Sequence, residues 1–208
     1  IKAVKTNVLG TCNVLQAART HNVKRVIYSS TSSAYGLVNE PPMVETMPRD
    51  CLNPYSVSKC SGEDLCKMYS DLYGLETVIF RYFNVYGDRQ PIKGAYAPVM
   101  GIFNRQVSNN EPMTVVGDGL QERDYINVQD VCRANVMAAY SDNPDIVGET
   151  FNIGSGEKYS VMDLVHMIGG EEANYVHLPE RPGEARATLA DTSKAKDIFG
   201  WEAEHSLV

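Results

Sequence analysis

The sequence has no CxxC pair, no histidine cluster and no long apolar run, and each absence removes a class of function. Its five cysteines (Cys12, Cys51, Cys60, Cys66 and Cys132) are odd in number and irregularly spaced. Neither a disulfide framework nor a zinc site is therefore expected, and a reducing, cytoplasmic setting is the natural one. The histidines (His21, His166, His177 and His205) are scattered and form no ligand pattern, so no metal is expected. No stretch approaches the ~20 apolar residues of a membrane span, and no signal peptide is expected. Positive charge is also short: 19 Lys and Arg against 26 Asp and Glu give a net charge of -7, with the signs interspersed. Nucleic acid and anionic membrane surfaces both select basic patches, so neither is expected as a partner. An anionic small ligand needs only two or three local arginines and stays open.

What remains is ordinary globular composition. The 208 residues, 43% apolar and 22% charged, are enough for one hydrophobic core and a small second lobe. Ile1 is no initiator, and residues 1–20 read as the middle of a helix, so the chain is expected to begin inside a domain. A short β-rich run at 24–28 then feeds Ser29-Ser30-Thr31-Ser32-Ser33, a polar strand end of the kind that borders ligands in open α/β sheets. Residues 37–52 read as loop. Asn53-Pro54 reads as an N-cap and first helical residue, opening a helix that Gly74 stops. A buried strand at 77–82 follows, then a strand-end loop at Asn84–Gly87. Helix and strand in this rhythm predict an α/β fold with a parallel, Rossmann-type sheet. Beyond Gly87 the elements shorten: helices at 98–108, 131–140, 161–168 and 191–199, and strands at 113–116, 124–128, 149–153 and 175–178. They suit a small α/β lobe, so the division expected is 1–87, with strands returning to it from later in the chain, and 88–208.

Tyr55 and Lys59 stand four apart in the first turns of the capped helix, which puts both on one face. An ammonium beside a phenol favours phenolate, so the tyrosine can act as a base nearer neutral pH than its ordinary value of ~10 allows. Taken alone, such a pair is common on solvated helix faces. The order strand, hydroxyl cluster, loop, capped helix with Tyr55 and Lys59 is far more specific.

With those residues in place, the sequence resembles the extended short-chain dehydrogenase/reductases that act on nucleotide sugars. The matching segments are Asn7–Thr11, Tyr28–Gly36, Pro54–Lys59, Arg81–Gly87, Gly117–Tyr125, Asn152–Gly154 and Arg181-Pro182-Gly183-Glu184. The resemblance implies NAD as cofactor and a UDP-sugar as substrate. It implies Thr31, Tyr55 and Lys59 as catalytic residues, with Lys59 also on the nicotinamide ribose. It places Thr6, Asn7, Ser29, Ser30 and Phe83 beside the cofactor, although Asn7 has the alternative role of bracing the helix. Thr31, Asn84, Arg123, Arg181, Glu184 and Thr188 are implied around the substrate, the arginines on its diphosphate, a task suited to a planar cationic fork.

Family members that dehydrate carry an Asp-Glu pair after the strand-end threonine, whereas this chain has Ser32-Ser33, so it resembles the 4-epimerases. Thr188 stands where epimerases restricted to plain hexoses carry tyrosine, which implies room for a 2-N-acetyl group. The family's opening βαβ unit, with its glycine-rich turn for the dinucleotide pyrophosphate, has no match in the sequence. The chain is thus expected to be truncated at its start and inactive by itself. Other reactions of the same family, or sugar-nucleotide binding without turnover, are the alternatives. A homodimer through the helix that begins at Pro54 is a further expectation.

Overall fold

The computed structural model describes residues 1–94, 97–181 and 183–208. The opening helical segment runs as α1 (Lys2–Val4), a π-helical turn (Lys5–Leu9) and α2 (Gly10–Thr20), with Leu15 and Ala18 turned inward. Strand β1 (Arg25–Thr31) continues through the serines, three residues past the expected end. The hydroxyl residues extend because β2 (Glu76–Tyr82) offers a parallel ladder in register, Ser29 opposite Phe80 and Thr31 opposite Tyr82. Between them lies α3 (Pro54–Tyr73). Asn53 Oδ1 accepts from the Ser56 N–H at 2.9 Å and the Ser56 hydroxyl faces the Asn53 N–H at 3.3 Å, a reciprocal capping box. Gly74 ends α3 at φ +69°, a left-handed turn that glycine adopts without a Cβ penalty.

The expected loop after β2 is instead a strand, β3 (Asn84–Tyr86), paired in parallel with β5 (Glu122–Asn127). An unforeseen strand, β7 (Lys158–Ser160), pairs antiparallel with β5. Both are short and exist through partners far along the chain, which local periodicity does not carry. The other elements lie close to their expected places: α4 (Val99–Ser108), β4 (Met113–Val116), α5 (Val128–Tyr140), β6 (Thr150–Ile153), α6 (Val161–Gly169) and β8 (Tyr175–Leu178). The last helix, α7 (Ser193–Phe199), starts two residues late. The Asp191 N–H is committed to the Met43 carbonyl at 2.9 Å, and its carboxylate accepts from the Ser193 N–H at 2.9 Å.

Strands β1, β2 and β6 form an all-parallel sheet in that order. Side-chain alternation along β2 sends Val78 and Phe80 toward α5, α7 and the fully buried Trp201. Ile79 goes the opposite way, toward Leu15 of α2 and Cys66 and Tyr69 of α3. The sheet is therefore covered by helices on both faces, as a parallel sheet requires. A second core of Met100, Phe103, Met113, Val115, Leu164 and Val165 lies between α4, α6 and the parallel pair β4–β8. No helix among the described residues is long and apolar enough to cross a membrane.

Candidate active site

The first turns of α3 lie beside the carboxyl end of β1. Tyr55 is 48% exposed, and its phenol has no hydrogen-bond partner among the described residues. One turn on, the Lys59 ammonium sits 4.6 Å from the centroid of the Tyr28 ring, with no carboxylate partner among the described residues. Burial pushes the Lys59 pKa down, against the opposing pull of Cys66 and Glu63. The Tyr28 hydroxyl donates to the Lys59 carbonyl at 3.2 Å, so one aromatic ring supports both the charge and the backbone of the helix beneath it. Asn7 Nδ2 donates to Ser58 Oγ at 3.0 Å, and Ser58 Oγ donates to the Tyr55 carbonyl at 2.7 Å. Asn7 thus braces α3.

The hydroxyls of the β1 end diverge. Thr31 is buried and its Oγ1 accepts the Ser33 N–H at 3.1 Å, capping a short 3-10 turn (Ser32–Ala34). Ser29 is exposed, with its hydroxyl 3.5 Å from that of Tyr82. Ser30 points inward and donates to Glu63 Oε1 at 2.5 Å. The Ser30 hydroxyl is therefore engaged inside the protein, because alternation along β1 turns it toward α3. The Phe83 ring is 4% exposed and packs with Tyr35, Met43 and Ala190.

Glu63 anchors a buried network that sequence reasoning missed. Its two oxygens take Arg81 Nε at 2.9 Å and Nη2 at 2.7 Å. The guanidinium lies 4.9 Å from the Tyr35 ring, whose hydroxyl donates to Asn152 Oδ1 at 2.6 Å. Two signals were available: an arginine inside the apolar run of β2, and Glu63 continuing the four-residue spacing of Tyr55 and Lys59.

A cavity of about 410 Å³ opens between α4 and strands β3, β4, β5 and β8, with Asn84, Phe103, Gln121, Arg123, Arg181 and Glu184 in its wall. A second, of about 160 Å³, shares Asn84 and Arg123 and runs to Ser32, Ser33, Asn53 and Thr188. Asn84 Nδ2 donates to the Asp124 carbonyl at 2.9 Å, which fixes its amide at the junction. Arg123 is buried enough that its pKa falls from the ordinary arginine value, and it lies 3.9 Å from Glu184. Arg181, largely exposed, is also 3.9 Å from Glu184, so one carboxylate sits between two guanidiniums. Pro182 of this motif lies outside the described residues. The Thr188 hydroxyl is buried with no hydrogen-bond partner among the described residues, and its backbone N–H donates to the Glu122 carbonyl at 3.1 Å. Asp124 holds the floor: its carboxylate accepts from the N–H groups of Ser155 at 2.7 Å, Gly156 at 3.1 Å and Ala190 at 3.0 Å. Tyr55, Lys59 and Thr31 do not line these cavities; they flank the smaller one through their neighbours Asn53 and Ser32.

The family model described as GDP-mannose 4,6-dehydratase matches residues 1–208. A Methanocaldococcus jannaschii protein provisionally named as a UDP-glucose 4-epimerase is 38% identical over 205 residues, covering 97% of this chain and 65% of the relative. The UDP-glucose 4-epimerase of Thermotoga maritima, solved with UDP-glucose, superposes with a TM-score of 0.90 at 36% identity, covering 98% of this chain and 66% of that one. The UDP-glucuronic acid 4-epimerase of Bacillus cereus, solved with UDP-glucuronic acid and NAD, gives 0.89 at 35% identity, covering 98% and 64%. The chain spans a little under two thirds of the length of these relatives.

Proposed function

The chain belongs to the GDP-mannose 4,6-dehydratase family, within the extended short-chain dehydrogenase/reductases, and from that premise we propose that it serves the NAD-dependent 4-epimerisation of a UDP-hexose or UDP-N-acetylhexosamine. One observation carries the choice within the family. The cavity beside Tyr55 is walled by Ser32, Ser33, Asn53, Asn84, Arg123 and Thr188, and no Asp or Glu lines it among the described residues. Eliminating water from a sugar needs a placed acid and base, whereas epimerisation needs only a proton acceptor at the 4-hydroxyl.

The donor set fits the nicotinamide-ribose end of NAD. The Tyr55 phenol and the Lys59 ammonium share one helix face, and neither has a hydrogen-bonding or ionic partner among the described residues. Tyr55 and Lys59 would hold that end of NAD, which would supply the hydride acceptor and donor for the sugar C4. Tyr55 Oη takes the proton of the 4-hydroxyl and later gives it back. The Lys59 ammonium favours the phenolate that this requires. The Thr31 hydroxyl, whose oxygen already accepts the Ser33 N–H, has its proton left to orient the 4-oxygen. Arg123 and Arg181 hold the diphosphate, Glu184 takes the nucleotide ribose, Asn84 contacts the sugar, and Thr188 leaves room for a 2-N-acetyl group.

On this reading, residues 1–87 belong with the NAD-binding sheet and residues 88–208 are mainly substrate lobe. The exposed apolar line Val57, Met68 and Leu72 along α3 supports a homodimer through that helix. The free thiols and the negative net charge support a cytoplasmic protein without nucleic-acid or membrane partners. Tyr55→Phe tests the assignment. In a chain extended by the family's opening βαβ unit and supplied with NAD, turnover should fall by at least about a hundredfold, within the range of one general acid–base group, while affinity for UDP-glucose stays unchanged. Equal turnover in the variant would remove Tyr55 from the mechanism.

A further inference from the structure

The segment that leads into α3 is clamped at both ends. On one side, Arg49 Nη1 donates to the Cys60 carbonyl at 3.1 Å and pairs with Asp64 at 2.9 Å. On the other, Asn53 is locked to Ser56 by the capping box. The Asp50 N–H donates to the Ala34 carbonyl at 2.8 Å, which pins the middle. Cys51 stands between these clamps, and its sulfur lies 3.3 Å from that of Cys60 on α3. Both thiols are free, Cys51 partly exposed and Cys60 buried.

We propose that Cys51 and Cys60 form a peroxide-responsive disulfide that closes a loop around Tyr55 and Lys59. The two sulfurs thus already stand 3.3 Å apart, between segments that the flanking contacts hold in place. Burial, and then the hydrogen bond shared with Cys51, push the Cys60 thiol up to about 12. Cys51 is partly exposed where Cys60 is buried, so it is the thiol that meets the oxidant first. Its thiolate attacks one oxygen of hydrogen peroxide, the O–O bond breaks, and the hydroxide released is protonated by solvent, leaving a sulfenic acid. The Cys60 sulfur then attacks the Cys51 sulfur, the S–O bond breaks, and the departing hydroxide takes the Cys60 proton. In sum, two thiols and one peroxide give one disulfide and two waters. The bond would tie the loop to the helix on either side of Tyr55 and Lys59, and thiol reductants would reverse it.

Peptide mapping of the purified chain decides this. Cleavage after Arg49, Lys59 and Lys67 puts Cys51 in residues 50–59 and Cys60, with Cys66, in residues 60–67. After hydrogen peroxide and alkylation of the remaining thiols, these two peptides should appear joined in the wild type and in Cys66→Ser. They should appear separate in Cys51→Ser, in Cys60→Ser and after dithiothreitol. Recovery of alkylated Cys51 in the wild type, at a peroxide dose that oxidises the exposed Cys132, would overturn the proposal. So would persistence of the link in Cys60→Ser.

Discussion

The phenol of Tyr28 passes through the place that a Cβ on residue 62 would occupy, so Gly62 is what lets this tyrosine reach the backbone of the helix that carries Lys59. Gly62→Ala should force the ring out from under the Lys59 ammonium. Overpacking of this kind costs about 1–3 kcal/mol, readable as a lower urea midpoint. The double variant Gly62→Ala with Tyr28→Leu should recover part of that loss. An alanine variant as stable as the wild type would mean that the close approach is not binding on the fold.

Glu63 and Arg81 are 5% and 4% exposed and bonded through both carboxylate oxygens. Removing one partner from such a pair strands the other charge in the interior. Arg81→Met or Glu63→Gln is therefore expected to cost about 3–5 kcal/mol in equilibrium unfolding. Arg81→Lys keeps the charge but not the fork, and should fall between wild type and Arg81→Met.

Asp130 gives a pH signature. Burial acts to raise its carboxyl pKa. The N–H groups of Glu204 and His205, the His205 imidazole and Arg133 outweigh this and bring it below the usual carboxylate range. A pKa lower in the folded than in the unfolded chain means that the unfolded chain takes up the proton first. The group's contribution is thus complete above the unfolded value of ~3.9 and is lost as pH falls through the folded one. Urea midpoints measured downward from pH 7 should drop below about pH 4, and Asp130→Asn should be less stable at pH 7 and show a shallower drop.

The sequence made the elements that rest on local rules legible. The Asn53 cap, the Gly74 stop and the buried strand β2 are written in residue type and spacing. What it hid depends on distant partners. Strands β3 and β7 take shape only against β5, and the commitment of Ser30 to Glu63 needs α3 to be laid across β1. The gathering of Asn84, Arg123 and Thr188 around one cavity came from motif resemblance, because those residues are spread over more than a hundred positions and no periodicity links them.

Arg123 and Thr188 act on separate parts of a bound UDP-sugar, so their variants should differ. Arg123→Ala should weaken UDP binding by roughly tenfold to a hundredfold, the loss of a charge-assisted hydrogen bond worth about 1.5–3 kcal/mol, measured by calorimetry. Thr188→Tyr fills the smaller cavity, so it should lower affinity for UDP-N-acetylglucosamine while leaving UDP-glucose nearly unchanged. Equal losses for the two sugars would detach Thr188 from the 2-position.

The most direct measurement is the identity of the product. UDP-glucose and NAD are incubated with the chain extended by the family's opening βαβ unit, and the mixture is followed by proton NMR. The anomeric signal of UDP-galactose should grow until the two sugars reach equilibrium, with no 6-deoxy methyl signal. A methyl signal, marking dehydration, would contradict 4-epimerisation, as would unchanged UDP-glucose in a sample shown to bind both UDP-glucose and NAD.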